Sequence, residues 1–103
     1  MSLPAWKPAP GDGFAAVTAS VTSVVAPDFC LLANEARQYV LIQLLSGGPV
    51  ALGLGFMPAD AAHGILLASG TNDSYTISAK TGNLFVGDIY AAGNGDILVL
   101  EGV

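Results

Sequence analysis

Few side chains in this sequence can move a proton or hold a ligand at neutral pH, and those few are scattered. His63 is the only histidine. A Ser-His-Asp hydrolase needs a histidine beside its nucleophile, usually with the serine presented on a tight elbow. Ser69 and Ser74 follow His63, yet no Gly-x-Ser-x-Gly motif accompanies them. Ordinary loop hydrogen bonding is the expected role of His63. Cys30, the only cysteine, lies in Phe29-Cys30-Leu31-Leu32. A reactive thiol needs a cation or a histidine beside it, and none is near in sequence, so Cys30 reads as a small buried hydrophobe.

The same scarcity bears on metals. Zinc takes several Cys or His ligands, and one of each does not suffice. Asn72-Asp73 and Asn94 with Asp96 place oxygen ligands in glycine-rich loops. A regular calcium loop has carboxylates at alternate positions closed by a Glu, which neither stretch has, so these read first as turn residues. Asp60, Asp73, Asp88 and Asp96 are the carboxylates that a glycosidase-like pair would draw on. Asp88, set between Gly87 and Ile89, is the least expected of them and should face outward or pair with Arg37 or Lys80. No phosphate-binding loop, dinucleotide fingerprint or Cys-x-x-Cys occurs. The expectation is a non-enzymatic protein with no cofactor and no bound metal.

Composition turns that absence towards assembly. Hydrophobic residues make up 52% of the 103 residues, glycine adds 13 more, and charged residues are 11%. Typical soluble domains carry about 25% charged residues. A single domain of this size has much surface for its volume and should need more polar residues, so part of its surface is expected to be covered by other subunits. The bland alternative is a monomer whose surface is built of Ala, Gly, Ser and Thr. The net charge is −5, with three cations, Lys7, Arg37 and Lys80. Three cations make no phosphate-binding stripe and no polybasic anchor, so neither nucleic acid nor a membrane is an expected partner. The most apolar stretch, from Tyr39 to Gly55, is broken by Gln43 and by Ser46-Gly47-Gly48-Pro49, too soon for a membrane helix. Pro4, Pro8 and Pro10 stand where a signal peptide would be apolar, which reads as no secretion signal.

The elements expected to carry these residues are strands. Residues 1–13 are rich in proline and glycine and read as an extended arm, with the only Trp, Trp6, docking on this domain or on a neighbour. Residues 14–103 read as one domain. From Val17 the chain alternates with period two, predicting a strand with one wet side up to Ala26-Pro27-Asp28. Residues 29–36 are ambiguous, with a turn or a short helical turn at Asn34-Glu35-Ala36. Arg37–Leu45 is the clearest strand, placing Tyr39, Leu41 and Gln43 on one face and Val40, Ile42 and Leu44 on the other. Both faces are apolar, as in a central strand or a strand buried in an interface. Ser46-Gly47-Gly48 predicts a hairpin turn into a strand over 50–55, where Gly53 and Gly55 would admit another backbone. A loop over 57–64, short strands over 65–68, 74–79, 84–91 and 97–101, and a hairpin at Asn94-Gly95 complete the reading. About seven short strands with frequent turns predict an all-β protein, a small antiparallel β-sandwich or a jelly-roll-like barrel.

Several segments also occur together in a recognisable order: Arg37-Gln38-Tyr39-Val40-Leu41-Ile42-Gln43, Pro49-Val50, Ser74-Tyr75-Thr76-Ile77, Asp88-Ile89-Tyr90-Ala91 and Val99-Leu100-Glu101-Gly102. Over residues 34–103 this order resembles small virion structural proteins of tailed bacteriophages and prophages. Leu44 stands where that pattern has a polar residue, and the arm has no counterpart in it. The resemblance implies a capsid-decorating, head-fibre or connector protein. It would assemble in the host cytoplasm, form a homo-oligomer, trimeric or higher, and dock on capsid or other virion proteins. Trp6, Pro8, Tyr39, Leu44 and Phe56 are the candidate partner contacts. The competing readings are a non-viral carbohydrate- or protein-binding module, and an enzyme such as a small cupin-like barrel, for which one histidine is too few.

Overall fold

A computed structural model describes residues 16–60, 62–68 and 73–103. The expected arm, residues 1–13, with its Trp6 and Pro8, lies outside the described residues. Among these residues there is no helix. Six strands form one antiparallel sheet: β1 (Val17–Val24), β2 (Asp28–Leu31), β3 (Tyr39–Leu54), β4 (Ile65–Leu67), β5 (Ser74–Ser78) and β6 (Ile89–Gly102). The protein is all-β, as its periodicity predicts.

The strand count differs because two expected pairs of strands merge and the ambiguous stretch contributes β2. Both expected hairpins lie inside long strands. Ser46-Gly47-Gly48 falls within the 16-residue β3, and Gly93-Asn94-Gly95 within the 14-residue β6. The two long strands pair along their whole length, and the glycine segments face one another, Gly47 opposite Gly95 and Val50 opposite Gly93. Gly47, Gly48 and Gly93 take φ of 74°, 94° and 122°. A left-handed glycine serves a β-bulge as well as a tight turn, so the local signal is the same for both. Register shifts between Leu44 and Ser46, and between Gly47 and Val50, mark the bulges. Each adds one residue to β3. Together they keep Leu44 and Val50 in phase, so the strand faces inward with the same residues on both sides of the crease. The strand expected over 84–91 begins only at Ile89.

The crease divides the sheet. On one side β3 and β6 are flanked by β5 and β1, and on the other by β4 and β2. Inward side chains from both halves form a single cluster. Val40, Ile42, Leu44, Val50 and Leu52 come from β3, and Ile89, Ala91, Ile97 and Val99 from β6. Val24, Leu67 and Ile77 close it from the flanking strands. Each Val, Leu or Ile side chain among them contributes roughly 1.5–3 kcal/mol by leaving water.

The expected close approach at Gly53 is present, and the chain itself supplies it. Gly53 is buried, and a Cβ there would collide with the Phe56 carbonyl oxygen and stand 2.9 Å from Pro58 Cδ. The segment after β3 therefore folds back over its outer face and covers Ala51, which is fully buried. β1 departs from its expected form. Residues 18–21 are exposed on both faces, and only Val24 reaches the core. The ambiguous stretch resolves as β2 followed by a turn, where Asn34 Oδ1 accepts from the Ala36 N–H at 3.0 Å.

Candidate functional site

The strongest local arrangement of polar groups is structural. Arg37, just before β3, is 1% exposed. Its Nε donates to Glu101 Oε2 on β6 at 2.8 Å, and the Glu101 side chain is 13% exposed. Nη1 donates to the carbonyls of Phe85 and Gly87 at 3.0 Å each, and Nη2 to that of Leu32 at 2.5 Å. One guanidinium thus ties the segment after β2 and the irregular 83–88 segment to β6. Such a fork is geometry that arginine offers and lysine does not. Asp88, expected outward or paired with Arg37 or Lys80, instead has Oδ1 accepting from the Ala33 N–H at 2.7 Å.

The other chemical candidates are likewise occupied. His63 Nδ1 lies 2.6 Å from Asp60 Oδ1, which also accepts from the Ala62 N–H at 2.8 Å. These bonds, His63 first, hold the Asp60 carboxyl below its ordinary value. Both side chains are well exposed, in keeping with a loop contact. Asp96 bridges two strands across the crease, accepting from Ser23 Oγ at 2.7 Å and Ser46 Oγ at 3.2 Å. Asp73 Oδ2 accepts from the Ala68 N–H at 2.9 Å, and Asn72 lies outside the described residues. Among the described residues no group of three or more His, Cys, Asp or Glu side chains could hold a metal ion. Burial pushes the Cys30 thiol up to about 12, against a weaker opposing pull from Arg37. Arg37 is the cation that the sequence neighbourhood of Cys30 did not show. Desolvation outweighs it, so the thiol stays protonated at neutral pH.

The described candidate contacts separate into different environments. Leu44 is 1% exposed and belongs to the core, so it is corrected from a contact to a packing residue. Its place in the inward alternation with Val40 and Ile42 accounts for this. Tyr39 is half-buried at the start of β3, between Ser78 and Gly102. Phe56 stands 51% exposed in the segment that covers Gly53.

Sequence reasoning did not single out the apolar side chains along the β1–β2 border. Val21, Val25, Phe29 and Leu32 are 62%, 77%, 47% and 65% exposed. β1 and β2 both lie on the side of β6 away from β3, so these residues follow one border of the sheet. Phe29 stacks on Tyr90 with ring centroids 5.0 Å apart. Beside that pair, Thr22, Ser23, Val25, Asp28 and Ala91 help line a cleft of about 110 Å³. Ligand pockets usually span about 300–1,000 Å³, so this cleft accepts a side chain more readily than a sugar ring.

No family model, curated protein or solved structure matches the chain.

Proposed function

We propose that this protein is a non-enzymatic structural component of a phage particle, acting by self-assembly and by docking on other virion proteins. In this reading the creased sheet works as a small β-sandwich, its two halves closing over the shared core. The observation that carries assembly is the row of exposed Val21, Val25, Phe29 and Leu32 along one border. Between Val17 and Pro27 the sequence has no charged residue, so the β1 part of this border can be desolvated without stranding an ion, and Asp28 is the one carboxylate beside its β2 end. The assignment to a virion rests on the resemblance of residues 34–103 and on nothing in the geometry.

Two measurements test the reading. Light scattering with mass detection at micromolar concentration should give a stable oligomer of the full chain, and a lasting monomer would overturn assembly. Proteomics of purified particles should find the chain in stoichiometric amounts, and absence from particles would overturn the virion assignment. The Phe29–Tyr90 stack beside the small cleft favours one second reading, a non-viral module that binds a protein or a glycan. A monomer that binds immobilised glycans would support that alternative.

A further inference from the structure

The sheet has open edges, and the chain treats them differently. The outer edge of β5 is capped. The bonds Ala79 N–H to Gln38 O (3.1 Å) and Leu44 N–H to Asp73 O (2.8 Å) set its phase, which turns the N–H and C=O groups of Thr76 and Ser78 outward. The Asn83 side chain meets both: its Oδ1 accepts from Ser78 N–H and its Nδ2 donates to Thr76 O, each at 3.0 Å. An amide side chain there stands in for another strand. β2 and β4 are blunted by length, at four and three residues, and β2 carries a register shift.

β1 has none of these protections. It is eight residues long, pairs with β6 without a register shift, and contains no Pro, Gly or charged residue. Ala16 and Val103 exchange both hydrogen bonds, at 3.3 and 2.9 Å. That fixes the phase: the even-numbered residues of β1 bond β6, and Val17, Ala19, Val21 and Ser23 turn their N–H and C=O groups to the free edge. Among the described residues, β1 pairs with β6 alone. An edge this long, regular and uncharged is a template for another strand.

We infer that β1 pairs antiparallel with β1 of a second copy, about a two-fold axis through Ser20. This rests on the self-assembly reading above and names its contact. The strand is complementary to itself in that register. Val17 falls opposite the partner's Ser23 and Ala19 opposite the partner's Val21, so all four outward residues of each copy exchange paired hydrogen bonds. Thr18 falls opposite the partner's Thr22 and Ser20 opposite the partner's Ser20. These are the closer, non-bonded positions, where hydroxyl pairs are favourable. The net charge of −5 disfavours contact between two copies over most of the surface, and β1 offers an approach with no charge on the strand. The Pro-rich segment 1–13 suits the edge poorly, because its three prolines lack the N–H that a ladder requires.

The tests use the full chain. Ala19→Pro removes an N–H that points away from β6, so the fold should persist while the dimer weakens about 30-fold, read by analytical ultracentrifugation. Val21→Pro should act alike, whereas Ser20→Pro breaks a bond to β6 and should lower the melting temperature. In a Cys30→Ala background, Ser20→Cys should be oxidised by diamide to a disulfide-linked dimer, since the axis sets the two Cα atoms about 4.5 Å apart. Thr18→Cys should not. Folded Ala19→Pro and Val21→Pro chains that keep the wild-type mass would overturn the β1 contact and leave assembly through another surface standing. Equal cross-linking of the Ser20→Cys and Thr18→Cys chains would overturn the register. A wild-type chain that stays monomeric at about 1 mM would overturn both the contact and the assembly reading.

Discussion

Replacing Arg37 with Met should be the most damaging conservative change in the chain. Met fills similar volume, so the loss isolates the guanidinium. Four bonds go at once: one to a carboxylate that is 13% exposed, and three to main-chain carbonyls. Removing one partner of a buried ion pair costs about 3–5 kcal/mol, because the other charge stays desolvated. Partial hydration of the carbonyls of Leu32, Phe85 and Gly87 should keep the total near 4 kcal/mol. A domain of this size has roughly 5–15 kcal/mol of stability, so Arg37→Met should melt about 20 °C lower or fail to fold at 37 °C. Urea denaturation followed by far-UV circular dichroism gives the loss directly, with an unchanged m value showing that the end states are the same. Glu101→Gln keeps an acceptor for Nε and should cost less, about 2 kcal/mol. In the double variant the uncompensated carboxylate is gone, so the combined loss should fall about 2 kcal/mol short of the sum. A loss below about 1 kcal/mol for Arg37→Met would refute the clamp. Strict additivity would show that Arg37 acts through the carbonyls and not through Glu101.

Three further outcomes follow from the same geometry. Gly93→Ala should cost about 3–5 kcal/mol by chemical denaturation. Its φ of 122° is closed to alanine, and a Cβ there would collide with the Pro49 carbonyl oxygen, whereas Gly82→Ala, with φ 79° and open space, should cost about 1 kcal/mol. Cys30 should resist iodoacetamide at pH 8 until the protein unfolds. Because its folded-state pKa of about 12 lies above the ordinary 9.0, its contribution is complete below pH 9 and is lost as pH rises towards 12. Cys30→Ala should remove up to about 1.4 kcal/mol per pH unit of that alkaline slope. Asn83→Ala should lower stability by about 1–2 kcal/mol and raise the apparent mass at high concentration in light scattering, since it uncovers the β5 edge.

The elements that were legible in the sequence are those whose signal is local. Period-two alternation placed Val40, Ile42 and Leu44 together on one face, which the structure turns inward, and found the short strands near 65–68 and 74–79. The spacing of Gly53 announced a close backbone approach, which the turn through Phe56 and Pro58 makes. Asn94-Gly95 and Ser46-Gly47-Gly48 misled for a physical reason: positive φ is needed by hairpins and bulges alike. Only the pairing of β3 with β6, between residues some 50 positions apart, decides which one forms. Leu44 shares the face of Val40 and Ile42, but with both faces apolar the alternation alone did not say which one is inside, and packing decides it. Arg37 carried a weaker sign, a rare cation at the head of an apolar strand. Its burial depends on carbonyls contributed by three separate positions, which spacing does not encode.

The same distinction between local and long-range signals bears on how so apolar a chain manages its borders. A sheet with few charges has little electrostatic repulsion to keep its edges apart, so each edge needs another device. Asn83 caps β5, and shortness limits β2 and β4. These devices leave β1 as the one long edge without a cap among the described residues. Its Thr and Ser side chains keep it compatible with water while it is free, and in the inferred dimer the same hydroxyls would pair across the two-fold axis. A strand selected only to avoid association would carry a lysine or a proline near its centre. β1 has Ser20 and Val21 there, which is the composition expected of an edge that is meant to be paired.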